Sequence, residues 1–375
     1  MKIGIITHYY KSENYGGNLQ AYALCKYINQ YLGYDAEQIS YDRKSSRSIK
    51  IFLWRLLRSM KNYRSLSIAR QLNQRRRAIL RFNQENIRHS VPYNDADLKK
   101  TNEIYDVFIT GSDQVWHPNA VCPAYLLDFV EKGKKKLSYA ASVAVNTLSE
   151  EICGRYKNSL QDYMAISVRE SNTVGLIQNL TNQKVECVLD PTFLLSRADW
   201  DQICKAPELS EPYVFCFFLG DDNRHRNLAG TYAKKHGLKV VTLPYLLGAY
   251  RDCDHHFGDI QLYDVSPDQF IGLVKQAECV FTDSFHASVF SIIYHRLFYV
   301  FERPSKKSMG SRLYTLTDLF DMQDRFCDTE EKHTIEYIES LPVPNYDRSF
   351  EKFAAAKKHS EAFLKRNLES IKNES

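Results

Sequence analysis

"KIGIITHYYKSENYGGNLQAYALCKYINQYL", residues 2–32, decides the fold. Its opening "KIGIIT" (2–7) is nearly all apolar, the pattern of a strand covered on both faces in a parallel sheet. A turn containing Gly16-Gly17 follows, and "LQAYALCKYINQYL" (19–32) reads as a helix. A chain that opens as strand, turn and helix predicts a doubly wound α/β domain.

The same pattern recurs further along. "YDVFITGSDQVW" (105–116) repeats strand, glycine and polar turn, and "KKLSYAASVA" (135–144), "MAISVRE" (164–170) and "VECVLDPTFLL" (185–195) complete a first series. A break rich in Asp, Pro and Glu, Ala198 to Glu211, then interrupts the alternation. It restarts with "YVFCFFLG", "RNLAGTYAKKHG", "LKVVTLP", "SPDQFIGLVKQA", "ECVFTDSFHA" and "RLFYVFE". The expected architecture is two Rossmann-like domains, 1–197 and 198–375, facing each other across a cleft. Polar, small or charged residues close each strand, as a ligand crevice at the carboxyl ends of a parallel sheet requires. An amphipathic helix over 349–372 is expected to finish the second domain.

Composition narrows the class. With 44% hydrophobic and 25% charged residues, the chain is globular, and no apolar run approaches the roughly 20 residues of a membrane span. Nor does the N-terminus have the form of a secretory signal, so the expected location is the cytoplasm. Nine cysteines, at 25, 122, 153, 187, 204, 216, 253, 279 and 327, contain no C-x-x-C pair and read as reduced thiols, with no metal site. Charge is uneven. A helical insertion over 43–90 holds 13 Lys or Arg and no Asp or Glu between Arg43 and Arg81, leaving an acidic remainder of 37 basic and 45 acidic residues. Its "IKIFLWRLLRSM" mixes Trp54 and leucines with Arg55 and Arg58. Three readings stand: a solvated excursion paired with the acidic body, peripheral contact of residues 43–81 with the inner face of an anionic membrane, or a nucleic-acid patch. The last is not expected, since no nucleic-acid motif accompanies it.

"VFTDSFHASVFSII" (280–293) carries the candidate chemistry. An apolar strand breaks into the capping residues Thr282-Asp283-Ser284, with His286 in the first helical turn. Such a turn offers backbone N–H groups and a titratable ring to an anion. The plainer reading is a histidine satisfied by a carbonyl or by Asp283.

Seven motifs, "NYGGNLQAYAL", "FITGSDQVW", "LSYAASVA", "ISVRE", "VLDPTFLL", "FTDSFHASVFSI" and "GSRLYTL", in this order, resemble the polysaccharide pyruvyl transferase family. The resemblance implies a GT-B-like pair of domains. It also implies transfer of the enolpyruvyl unit of phosphoenolpyruvate onto a sugar, giving a pyruvate ketal and needing no redox cofactor. A carboxylate and a phosphate so close together require at least two forked cations. Arg169 is the first, against a salt bridge to Glu170. Arg312 is the second, against an exposed arginine at a helix start. The donor set is therefore Arg169, Asp283, Ser284, His286 and Arg312, with His286, Arg169 and Asp113 catalytic. Asp283 holds phosphate or orients the imidazole. Asp113 is a base for the attacking hydroxyl or an Asx cap for its turn. Asn14, Gly17, Asn18 and Gln20, with Ser112, Asp113, Gln114 and Trp116, form the expected wall for a sugar or lipid-linked oligosaccharide.

Two other functions compete: a GT-B glycosyltransferase using a nucleotide sugar, and a non-catalytic glycan or membrane-surface module. "DCDHH" (252–256) lacks metal-ligand spacing and "GDDNRHRN" (220–227) lacks a phosphate-loop pattern. "DP" (190–191) reads as a structural strand-ending turn.

Overall fold

The structure is a computed structural model and describes residues 1–43, 66–245, 251–303, 310–348 and 350–374. The mixed basic and apolar run at 49–60 lies outside the described residues.

In the first half the strands are β1 (Lys2–Ile6), β2 (Asp35–Tyr41), β3 (His89–Tyr93), β4 (Val107–Thr110), β5 (Lys135–Ser138), β6 (Ile166–Val168) and β7 (Val185–Cys187). They lie parallel in the order β3-β2-β1-β4-β5, and bridges Leu137↔Ala165 and Ala141↔Val168 carry the sheet on to β6-β7. The helices of this half are α1 (Tyr15–Gln30), α2 (Leu66–Asn86), α3 (Glu150–Ser159), α4 (Ser171–Gln178) and α5 (Arg197–Asp201).

The second half repeats the plan. Strands β8 (Tyr213–Phe217), β9 (Lys239–Thr242), β10 (Ile260–Gln261), β11 (Cys279–Thr282), β12 (Leu297–Phe301) and β13 (Phe326–Cys327) form a parallel sheet ordered β10-β9-β8-β11-β12-β13. Around it run α6 (Asn223–His236), α7 (Pro267–Gln276), α8 (Phe285–Ile293), α9 (Ser311–Leu319) and α10 (Ile335–Ser340), and the chain closes with α11 (Phe350–Glu374). Parallel pairing forces every return through a crossover, so the carboxyl ends of β1, β4 and β6 share one edge and those of β8, β11 and β12 another.

Three features depart from the sequence reading. Gly16 and Gly17 lie within the first turn of α1 rather than in a turn before it. Strand β2 shows no apolar run because it buries Gln38 and Ser40, Gln38 Nε2 donating to Ala21 O at 2.8 Å and Ser40 Oγ to Ser90 O at 2.9 Å. Helix α11, expected with the second half, returns to the first. Its Ser360 Oγ accepts from Leu189 N at 2.9 Å, Arg366 pairs with Glu186, and Lys135 Nζ meets Glu374 at 2.6 Å. Its start stays with the second half, where Phe353 packs on Phe320 with ring centroids 5.1 Å apart. The helix therefore straps the two halves together.

The interface between the halves is packed. Tyr15 stacks on Phe270 at 4.9 Å and donates its hydroxyl to Val265 O at 2.9 Å, while Trp200 meets Phe290 edge-on at 4.9 Å. The basic helix α2 takes part. Its Leu72, Ile79 and Phe82 are buried, and the buried Arg75 reaches the second half, donating to Tyr263 O (2.8 Å), Pro244 O (2.9 Å) and Leu262 O (3.1 Å). Arg70, Arg77 and Arg81 face solvent. Among the described residues no helix is long and apolar enough to cross a membrane.

Arg75→Ala leaves three carbonyls without their donor, a loss of about 2–4 kcal/mol. Arg77→Ala on the exposed face should stay within about 0.5 kcal/mol. Urea melts of the two variants beside the wild type measure the difference.

Candidate active site

The residues that meet at the cleft all lie just beyond the carboxyl ends of parallel strands. Asp113 follows β4, Arg169 and Glu170 follow β6, Asp190 follows β7, and Asp283 to His286 link β11 to α8. Short strands ending in small or polar residues let the chain turn at this edge, and that places charged side chains where two sheets face each other.

Asp190 stands at the centre, buried. Its Oδ2 accepts from Arg169 Nη1 at 2.9 Å and Ser112 Oγ at 3.0 Å, and its Oδ1 accepts from Thr192 N at 3.1 Å and Thr192 Oγ1 at 2.7 Å. His286 Nε2 lies 3.5 Å from the same carboxylate, longer than a settled hydrogen bond. Such contacts are often loose before substrate arrives. Burial pushes the Asp190 carboxyl up, but His286 and Arg169 outweigh it and hold it well below the usual carboxylate range. "DP" therefore does more than end a strand. It carries a carboxylate that the sequence reading assigned only to a turn, and nothing local to those two residues signals the partners it finds.

Arg169 makes the plainer contact, the salt bridge to Glu170, and adds a second to Asp190. Its Nε lies 3.3 Å from Glu170 and its Nη1 is bound to Asp190, while Nη2 is buried with no partner among the described residues. Its guanidinium also lies over the Phe285 ring, 4.3 Å from the centroid. Burial lowers its pKa, but Glu170, Asp190 and Asp113 together raise it above the ordinary value.

Arg312, at the start of α9, is only 7% exposed, so the exposed-arginine reading fails. Its Nε finds no acceptor among the described residues. Burial first, then Arg303 and Arg169, pull its pKa down to about 10. Arg169, Asp190, Phe285 and Arg312 line one cavity of about 210 Å³, together with Leu316 and Ser360. The cavity thus draws on both halves, and Glu170, Asp190, Asp318 and Lys352 line it beside the two arginines.

Outside that lining, beyond the end of β4, Asn14 Nδ2 donates to Asp113 Oδ2 at 3.2 Å. Asp113 makes no side-chain cap to its turn, and it holds φ at +72°, a conformation costly for any residue but glycine. The Asx-cap alternative is thereby excluded. Gln114 lies beside it with its buried Nε2 unpaired among the described residues.

Gly16 and Gly17 are needed for contact rather than for turn geometry. A methyl at Gly16 would lie 1.9 Å from His286 Nδ1, and one at Gly17 2.6 Å from His8 O and 3.3 Å from Asp113 Oδ2. Only glycine lets the start of α1 approach the imidazole this closely.

Six expected site residues are engaged within the protein. Asn18, wholly buried, donates to Asn14 O at 2.7 Å and accepts from Asn83 at 2.7 Å. Gln20 Nε2 bridges Thr7 Oγ1 and Gly17 O, and Trp116 is a core residue donating to Tyr125 O at 3.1 Å. Asp283 accepts the amides of Leu219 (2.7 Å) and Gly220 (2.6 Å), so it anchors a loop and orients no imidazole. Burial raises its pKa, against the pull of Arg303. Ser284 caps α8, accepting from Ala287 N at 3.5 Å, and Ser112 serves Asp190. Within "DCDHH", Asp254 bridges Arg226 and Arg251.

Two further residues escaped the sequence reading. His8, just past β1, lies edge-on to Tyr125 at 4.4 Å, and burial lowers its pKa despite the nearby Asp113. Arg303, just past β12, rests its stem against Gly220 and acts electrostatically on Arg312. Their signal was position alone, immediately beyond a parallel strand.

Comparison with known proteins gives a family and a fold. The family model described as polysaccharide pyruvyl transferase matches residues 14–305, well over half of the chain. A comparison with curated proteins finds no match. Among solved structures, the UDP-N-acetylglucosamine 2-epimerase of Rickettsia bellii is 8% identical, with 99% of this chain and 97% of that one covered and a TM-score of 0.56. The UDP-GlcNAc 2-epimerase of Neisseria meningitidis bound to UDP-GlcNAc is 10% identical, with 97% and 100% covered and a TM-score of 0.53. That of Methanocaldococcus jannaschii is 12% identical, with 92% and 93% covered and a TM-score of 0.51. The likeness is one of fold: two Rossmann-like halves in the GT-B arrangement.

A buried cation with an unpaired donor destabilises the protein that holds it, unless an anion arrives. Arg312→Met should therefore raise the melting temperature of the ligand-free protein. Inorganic phosphate should raise that of the wild type but leave the variant unmoved, and thermal shift measures both. Gly16→Ala should lower stability by about 1–3 kcal/mol, since the imidazole must be displaced.

Proposed function

We propose that this chain, which belongs to the polysaccharide pyruvyl transferase family, moves the enolpyruvyl group of phosphoenolpyruvate onto hydroxyls of a sugar and leaves a pyruvate ketal. The acceptor is a polysaccharide unit or its lipid-linked precursor. The observation that carries the reading is the cavity of about 210 Å³ into which two arginines converge, each with a buried nitrogen unpaired among the described residues. A space below the roughly 300–1,000 Å³ of ordinary ligand pockets favours a small dianion over a nucleotide sugar.

The chemistry follows from the charges. Arg169 and Arg312 fork onto the phosphate and carboxylate oxygens. As a sugar hydroxyl bonds C2, positive charge develops there and the C2=C3 pair takes a proton at C3. The departing phosphate carries its C–O pair into the arginine field, and that field supplies most of the transition-state stabilisation. A second hydroxyl then closes the ketal. In sum, the first hydroxyl proton ends on C3 and the second leaves with phosphate. His286 handles the first of these protons, beside Asp190. Asp113 and Asn14 face the incoming hydroxyl. In this reading residues 1–197 form the acceptor side and 198–375 the donor side, with Arg169 and Asp190 crossing over to the donor. The exposed Arg70, Arg77 and Arg81 of α2 suit peripheral contact with anionic lipid.

The alternative, transfer from a nucleotide sugar, draws on fold likeness alone. Isothermal titration of phosphoenolpyruvate should give a binding heat in the wild type, and Arg169→Ala should weaken binding by about 2–4 kcal/mol, roughly 30- to 1,000-fold. A folded wild type that binds UDP-sugars and gives no heat with phosphoenolpyruvate would overturn the reading.

A further inference from the structure

We infer that Asp190 is a positioning residue that fixes His286 with its proton on Nε2, leaving Nδ1 as the nitrogen that takes the acceptor's proton. The inference rests on the reading above and assigns the atom that reading leaves open.

Two independent contacts carry it. On one side, Nε2 lies 3.5 Å from Asp190 Oδ2, and Nε2 has no hydrogen-bond partner of its own among the described residues. The carboxylate is already held by four donor contacts, from Ser112, Arg169 and the backbone and hydroxyl of Thr192, so it has no freedom to turn away. An ionised carboxylate only accepts, and a nitrogen facing it is the one that bears hydrogen. On the other side, the Cγ–Nδ1–Cε1 edge of the ring faces the first turn of α1. A methyl at Gly16 would lie 1.9, 2.3 and 2.6 Å from Nδ1, Cγ and Cε1. That turn presents free backbone N–H groups, and Asn14 gives them no side-chain cap. The positive end of a helix favours a lone pair there over a proton. Among the described residues the charged group paired with the ring is Asp190, with Arg169 and Glu170 behind it; α1 contributes Gly16, which has none, and Asp113 lies beyond it against Gly17.

The consequence is directional. Nδ1 faces the first turn of α1, whose N-cap Asn14 meets Asp113, and through it His286 takes the proton of the attacking hydroxyl. The imidazolium that results is stabilised through Nε2–H by Asp190, and it delivers that proton to C3 in the step in which the acceptor oxygen bonds C2, so that the C2=C3 pair becomes the new C3–H bond.

Nitrogen-15 NMR of the imidazoles tests this without knowledge of the acceptor. The chain has eleven histidines, and a His286→Gln spectrum identifies the signal. The wild type should show the Nε2–H tautomer, and Asp190→Asn should reverse it, because the amide NH₂ then faces Nε2. An Nδ1–H tautomer in the wild type, or an unchanged tautomer in a folded Asp190→Asn, would sink the inference. The wild-type spectrum decides even if the variant does not fold. Phosphoenolpyruvate titrated into both proteins keeps the two ideas apart. Loss of binding in the wild type removes the donor reading and leaves the tautomer result standing. A merely structural Asp190 would lower stability and leave the tautomer alone.

Discussion

A carboxylate buried without water needs donors from several directions, and the site is organised by how Asp190 obtains them. Ser112 comes from the end of β4, Arg169 from the end of β6, Thr192 from its own turn, and His286 from the other half of the molecule. These segments are far apart in sequence. They meet only because every strand is parallel and sends its carboxyl end to the cleft. A buried charge whose partner is removed is strongly destabilising, so the arrangement stands or falls as a unit. Closure of the halves is correspondingly firm, through Tyr15 on Phe270, Arg75 on three carbonyls, and the α11 strap.

Around that centre the pairing of charges is uneven. Arg169 is matched by Glu170 and Asp190, whereas Arg312 brings a second cation into the same cavity without a paired carboxylate among the described residues. Two buried guanidinium groups lining one cavity repel each other, and a dianion relieves that cost. The strained Asp113 beyond the end of β4 belongs to the same pattern. Local energy is held high where a ligand is to be met, and the packed interface compensates for it elsewhere.

Legibility in the sequence followed physical locality. Arg169, His286 and Arg312 were readable because each sits beside a strand or helix end whose hydrophobic pattern marks it, and their types are those an anion requires. Asn18, Gln20 and Trp116 were read as a polar and aromatic wall, yet they are drawn inward by Asn83, Thr7 and Tyr125, partners 65, 13 and 9 residues away. Asp190 was missed for the converse reason. A turn-forming "DP" has the same local signature whether its carboxylate caps a turn or anchors a guanidinium from β6.

By itself the sequence determined the parallel α/β class, the division into two halves and the family, because hydrophobic period and turn chemistry act over a few residues and are written directly in the chain. Tertiary structure alone decided which polar groups remain for a ligand. Hydrogen-bond saturation depends on neighbours brought together by the fold: Gly16 against His286, Arg75 across the cleft, and α11 back on the first sheet. A side chain's chemistry is set by its type, but its availability is set by what reaches it first.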